Sequence, residues 1–317
     1  MRGPIEWHIK PLACGHITKA AAGHSAWGKQ TTPRFPKMRS SRLLKWAACF
    51  ALATTPPVSA APTPGRGGKH TMSDEGKKAY LDAQVCVLAS PAKLSVMPGA
   101  KTRWEELLGL HQVLGLQIHS TGVFLPYHRY YVHAHEFLLN ECGYKGGLPR
   151  SITSSLSVGC GAAFVAAAIE PDTYDDMWVR VYSGAHLSGH RALGMVNGDP
   201  LSSPGDPISM LHHAFVDKMW WDWQARDPAV RLTAMGGPNA QDPAVGFLEF
   251  PGGVEDESKM WGKPKPEMLA VTPDAANGDP GNVTTLSHIM TSLGVIPDAT
   301  VADVMDTQGG YLCYEYI

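Results

Sequence analysis

His186 and His190, in the run HLSGH, are four residues apart, so on a helix they share one face one turn apart. That spacing lets two imidazoles converge on one metal ion, although it also serves ordinary packing. A zinc protease of the same spacing needs Glu after the first His, and Leu187 stands there instead, which disfavours a metallohydrolase. Downstream, His213 is followed one turn later by Asp217 in PGDPISMLHHAFVDKMWWDW. A carboxylate there is placed to take the second N–H of the imidazole and fix its tautomer. Three neutral imidazoles with no thiolate or carboxylate among them suit copper, with zinc a poorer second. The first half of the chain carries a matching set: His111 on an amphipathic stretch, His119 just after it, and His128 at the head of the next helical pattern. One histidine on an apolar face is ordinary; two ordered triads are hard to obtain by chance.

The elements that must hold these histidines follow from hydrophobic spacing. A helical pattern begins near Asp74 and runs through Tyr80 and Ala83. In KTRWEELLGLHQVLGLQIH, the residues Trp104, Leu107, Leu108, His111 and Leu114 fall on one face of a second helix. Residues 127–140 predict a third, with His128, Tyr131, Val132, His135 and Leu139 aligned. A fourth is expected over 176–192 and a fifth over 210–225. Beyond about Asp227, Pro and Gly dominate, so long irregular connections with short helical or strand segments are expected. The chain shows no internal repeat and no second domain boundary.

At 317 residues and 44% hydrophobic, the chain is long and apolar enough for one domain with a true core. A net charge of −2 and the lack of a basic stripe exclude nucleic acid as an expected partner. Residues 38–61, MRSSRLLKWAACFALATTPPVSAA, combine a basic start, an apolar run and a small-residue site, the pattern of a secretory signal peptide. On that reading, residues 1–37 are an upstream extension without assigned fold, 38–60 the signal, 61–73 a flexible leader and 74–317 the working domain. The product is expected to be secreted. No later stretch is apolar enough to span a membrane. Removal of Cys14 and Cys49 leaves four cysteines, Cys86, Cys142, Cys160 and Cys313, enough for two disulfides in an oxidising compartment with three pairings open. Asn282-Val283-Thr284 is a glycosylation sequon.

HSTGVFLPYHRYYVHAHE, over 119–136, resembles the first copper motif of the tyrosinase and catechol oxidase family, the type 3 copper proteins. DPISMLHHAFVD, over 206–217, resembles the second, and Tyr314-Glu315-Tyr316 resembles the Tyr-x-Tyr signature that closes the core domain. The likeness covers roughly residues 75–317 and is strongest to the short secreted fungal members. It implies a mainly α fold: a four-helix bundle housing a dinuclear copper site, with long irregular loops and a few short strands. It implies two copper ions, the first on His111, His119 and His128, the second on His186, His190 and His213, with Asp217 orienting His213. His133, His135 and His212 are then packing or hydrogen-bonding residues. Substrates would be dioxygen and phenolic small molecules, with no protein partner required.

The same likeness narrows the chemistry. In the family, hydroxylation of monophenols goes with an Asn directly after the first ligand of the second copper, held with a nearby Glu. Leu187 occupies that position, and only Asp175 and Asp176 offer carboxylates nearby. Oxidation of o-diphenols or o-aminophenols with weak or no tyrosine hydroxylation is expected. Pro200 falls at the family's pocket-gating position. Three departures stand out. Ser209 replaces a Phe that packs beneath the second site. The chain passes from CGYKGGLP directly to Arg150-Ser151-Ile152-Thr153, where the family has Tyr-Trp-Asp-Trp and a long loop. Gln117 replaces the Cys that some members bond to His119's counterpart, so no thioether is expected and the four cysteines are assigned to disulfides, Cys86 with Cys142 first. The competing readings are a full tyrosinase, an oxygen carrier of haemocyanin type, and a degenerate protein that binds little copper. A carrier needs a shielding domain, which is not expected after Tyr316.

Overall fold

The computed structural model describes residues 8–11, 66–67, 72–94, 97, 99–149, 160–242 and 277–316. The signal segment and the junction after Pro149 lie outside these residues. Nine helices are described. The first, α1 (Asp74–Ala89), opens on Ser73, whose side chain accepts the Gly76 N–H. In α2 (Arg103–Ile118), Thr102 and Glu105 form a reciprocal capping box. Then come α3 (Phe124–Glu141) and the short α4 (Ala162–Ala168). Helix α5 (Tyr174–Val181) runs without a break into a single π turn at Tyr182–His186 and on into α6 (Leu187–Leu193). Gly194, at φ 65°, ends it. α7 (Ile208–Ala225), α8 (Pro228–Arg231) and α9 (Val301–Met305) complete the set.

Helices α2, α3, α5–α6 and α7 form the four-helix bundle that the sequence implies. Leu107, Leu110, Leu114, Met177, Val181 and Trp220 fill its interior, each no more than 1% exposed. Loops and five short strands wrap the rest.

Two short strands lie in the N-terminal segments. His8–Pro11 (β1), assigned no fold, and Arg66–Gly67 (β2), assigned to a leader, pair antiparallel with each other. β1 also pairs with Tyr314–Tyr316 (β5), placing Ile9 opposite Tyr316 and Lys10 opposite Glu315. Main-chain ladder bonds of this kind need little side-chain pattern, which is why hydrophobic spacing gave no sign of them. β3 (Ile289–Met290) and β4 (Ala299–Thr300) make a second small pair.

The closing Tyr-x-Tyr strand is tied to the bundle through buried charge. Arg129 on α3 donates from Nε to Asp217 Oδ1 on α7 at 2.5 Å. Its guanidinium lies 3.7 Å from the centre of the Trp220 ring and reaches the carbonyls of Val304 and Met305 at 3.0 and 3.1 Å. The hydroxyls of Tyr314 and Tyr316 both donate to Asp217 Oδ2. Arg129 follows His128 and Asp217 lies one turn after His213, so one salt bridge sets two histidine-bearing helices against each other.

Candidate metal centre

Six imidazoles meet inside the bundle, and the backbone aims most of them. His111, midway along α2, donates from Nδ1 to the carbonyl of Leu201 at 2.9 Å, across to the loop before α7. His119 caps the end of α2 in extended conformation and donates to Gly115 O at 2.9 Å. His128 donates to Phe124 O at 2.8 Å, and His186 to Tyr182 O at 3.3 Å. With Nδ1–H committed to a carbonyl, each ring presents the Nε2 lone pair to the interior.

The lone pairs converge in two groups. The ligand atoms of His111, His119 and His128 lie within 4.8 Å of one another, and so do those of His186, His190 and His213. Nε2 of His111, His128 and His186 is buried without a hydrogen-bond partner among the described residues. Nε2 of His190 and Nε2 of His213 sit 3.2 Å apart. Buried acceptors left this way are costly unless something electrophilic supplies the partner, and a metal ion in each triad does so. The triads adjoin: the rings of His128 and His213 stack at 4.3 Å. Phe124, fully buried, lies between the sets, with its ring 4.6 Å from both His128 and His186.

Burial also decides protonation. It drives His111 down to about 3 and His119 to about 4, and holds His128, His186, His190 and His213 well below the ordinary imidazole range, with neighbouring histidines adding to the effect for all but His119. The rings are therefore neutral, as metal binding requires. An imidazole depressed in the folded state binds fewer protons there than in the unfolded chain. Its share of stability is fully present above the unfolded pKa of about 6.5 and is lost as pH falls through the folded value. Metal-free protein should hold a steady Tm near pH 7–8 and lose it from about 6.5 toward 3–4, with metal released over the same acid range. Thermal scans with parallel metal analysis check this; a Tm that rises on acidification would contradict it.

The other expected residues sort as follows. His212 donates from Nε2 to His186 O at 2.9 Å, and His135 to Gln84 Oε1 at 2.7 Å, so neither is aimed at the triads. His212 packs so closely on Gly189 that a Cβ there would lie 2.1 Å from its ring. His133 sits by Glu136 at 3.6 Å, away from the centre. Asp217 does not hold His213: Arg129 and two tyrosines take both its oxygens, and His213 Nδ1 has no hydrogen-bond partner among the described residues. The one-turn spacing placed the two residues on one helix face, but the Arg129 guanidinium is the stronger competitor for the carboxylate.

Leu187 and Pro200 line one small pocket that opens onto the second triad, together with Tyr182, Arg191 and Asn197. Ser209, expected to leave space beneath the second site, is fully buried with its hydroxyl unpartnered among the described residues. Gln117 meets Asn277 instead of forming a thioether. Cys86 and Cys142 form the expected disulfide. Cys160 and Cys313, assigned to a second bridge, do not pair with each other: Cys313 is disulfide-bonded, whereas Cys160 is a thiol donating to Ala185 O at 3.2 Å, buried among the helices.

Sequence reasoning missed the carbonyl ledges at Gly115 and Leu201, the Phe124 ring between the triads, and Arg129. Only Arg129 carried a signal, a charge inside an otherwise inward-facing apolar helix.

A helical bundle enclosing two adjoining triads of neutral imidazoles defines a dinuclear metal protein. Residues 101–149 and 165–226 match the common central domain of tyrosinase. The donor set of the two triads fits a pair of copper ions, the cofactor that the matched domain implies. The tyrosinase-like protein phomQ1 of Diaporthe leptostromiformis is 23% identical over 347 residues, covering 83% of this chain and 80% of the relative. The N-acetyl-6-hydroxytryptophan oxidase ivoB of Emericella nidulans is 22% identical, covering 78% of this chain and 90% of the relative. A variant polyphenol oxidase from Thermothelomyces thermophila shares the fold, with a TM-score of 0.55 at 20% identity over 77% of this chain and 86% of its own. The matched domain and these relatives support an oxidoreductase.

Proposed function

We propose that the protein is a secreted copper oxidase that converts o-diphenols, and o-aminophenols of the same shape, to o-quinones with dioxygen, and that it hydroxylates monophenols weakly or not at all. His111, His119 and His128 hold one copper and His186, His190 and His213 the other. When bound, the copper pair would carry two electrons and two protons' worth of oxidation from each diphenol to dioxygen, so that two diphenols reduce one dioxygen to two waters. The protein's own part is to keep six imidazoles neutral, aim four of them from carbonyl ledges, and exclude water with Phe124, Tyr182 and Leu187.

The observation that carries the substrate preference is the pocket wall at Leu187. It lines the entrance to the second triad where a hydroxylating member places a water-orienting amide, and its isobutyl group orients no water. No carboxylate among the described residues lines that pocket. Asp176 is instead bound to the Thr173 hydroxyl at 2.8 Å at the head of α5. A catechol delivers its electrons without the extra deprotonation machinery; a monophenol does not. Secretion is supported by the Cys86–Cys142 disulfide and by the exposed sequon at Asn282. Among the described residues no helix is long and apolar enough to cross a membrane.

Oxygen uptake by the copper-loaded protein tests this reading. We expect turnover of 4-methylcatechol and, because a positioned base is worth about 10²–10⁴ in rate, tyrosine turnover slower by at least about a hundredfold. Leu187→Asn should raise the tyrosine rate relative to catechol. Tyrosine turnover at the catechol rate without added catechol would sink the preference, and oxygen binding without oxidation of either would indicate a carrier.

A further inference from the structure

We propose that Ser209 is the positioning residue for His213, its hydroxyl bonding Nδ1 of that ring and holding it in the tautomer that binds the second copper. The inference rests on the copper reading of the second triad. Ser209 lies four residues before His213 on α7, so the two share one helix face one turn apart. Side chains on a helix lean toward its N-terminus, over the residue four back. His128 and His186 show the result, each donating Nδ1–H to the carbonyl four residues earlier. His213 does not: its Nδ1 is buried without a partner among the described residues, and so is Ser209 Oγ. Both residues are no more than 1% exposed. Each of these two polar atoms carries a desolvation cost that a bond between them would remove.

The other polar groups of this helix face are committed. Asp217, one turn further on, is held by Arg129, Tyr314 and Tyr316. His212 donates to the carbonyl of His186. A hydroxyl also suits the task better than a carboxylate. Nε2 of His190 and Nε2 of His213 lie 3.2 Å apart, a contact that as a hydrogen bond needs one of the two rings to carry its hydrogen there. Nε2 must be bare to bind a metal, so in the loaded protein that hydrogen belongs on Nδ1. Where His213 is that ring, its Nδ1 accepts before loading and donates after it. A serine hydroxyl both donates and accepts and swings about a single bond, so it serves either tautomer; an ionised carboxylate only accepts.

A competing role exists for the same residue. A small side chain at 209 also lets α7 pack closely on its neighbours. That role depends on volume and is filled equally well by alanine.

The test uses the native chain, Ser209→Ala, which removes the hydroxyl, and Ser209→Thr, which keeps it. Copper affinity is measured by chelator competition at pH 7, with the Tm of metal-free protein alongside. Ser209→Ala should bind the second copper about 10–100-fold more weakly, and Ser209→Thr should recover most of that loss. The metal-free Tm of Ser209→Ala should stay level or rise, because a buried hydroxyl without a partner is gone. In native protein loaded with diamagnetic Cu(I), NMR of isotope-labelled histidines should place the Nδ1–H of His213 downfield, as for the carbonyl-bonded His128. An unbonded position for that resonance would overturn the inference even if the variants failed to fold. So would a Ser209→Ala protein that binds the second copper within about twofold of native. Failure of the copper reading shows separately, as a native chain that takes up fewer than two coppers.

Discussion

His213→Asn should leave one copper per chain in place of two and reduce catechol oxidation by more than about a hundredfold, beyond the 10–100-fold that follows loss of an outer hydrogen-bond partner. The ring of His213 stacks on His128 and its Nε2 faces that of His190 at 3.2 Å, so its removal opens one triad and withdraws packing from the other. The neighbour gives the control. His212 lies next to it on α7 and is as deeply buried, yet its Nε2–H is spent on the carbonyl of His186. His212→Asn should keep both coppers and lose about 0.5–1.5 kcal/mol, the net worth of a hydrogen bond. Metal analysis and oxygen uptake on the pair decide the matter. Equal loss of copper from both variants would mean that the second triad has been assigned wrongly.

Asp217→Leu should produce the largest loss of stability. The change strands the Arg129 guanidinium, fully buried over Trp220, and removes the carboxylate that the hydroxyls of Tyr314 and Tyr316 share, leaving Tyr316 its weaker bond to the Ala214 carbonyl. Breaking one side of a buried ion pair costs about 3–5 kcal/mol. At about 2–4 °C of Tm per kcal/mol for a domain of this size, thermal unfolding should move down by roughly 6–20 °C. Copper affinity should fall with it, because α3 and α7 carry His128 and His213 on either side of this bridge. A Tm shift below about 2 °C would show that the C-terminal strand and the two helices are held by something other than the Arg129–Asp217 bridge.

The site was legible in the sequence to the extent that helical periodicity encodes it. His186 and His190 are one turn apart on a continuous helical rod, and a spacing of four reports that directly. The capping box at Thr102 and Glu105 and the glycine stop at Gly194 are likewise local, so the helix limits could be read within a few residues. What escaped depends on distant partners or on main-chain atoms. The ledge for His111 is a carbonyl 90 residues away. The π turn at Tyr182–His186 changes the pitch at the first ligand of the second triad, and no residue type announces such a turn. Asp217 shows the hazard most plainly: its spacing from His213 was read correctly, but a competitor from another helix took its oxygens. The pairing of β1 with β5 was invisible for a related reason, since backbone ladders carry little side-chain code.

The most direct test is a paired reading on one sample of protein loaded with Cu(II) at pH 7: copper per chain by mass spectrometry of the metal, and the intensity of its electron paramagnetic resonance. Two ions held in adjoining triads should couple, giving two coppers per chain with almost no resonance signal. One copper per chain, or two that give the full signal of isolated Cu(II), would contradict the dinuclear centre.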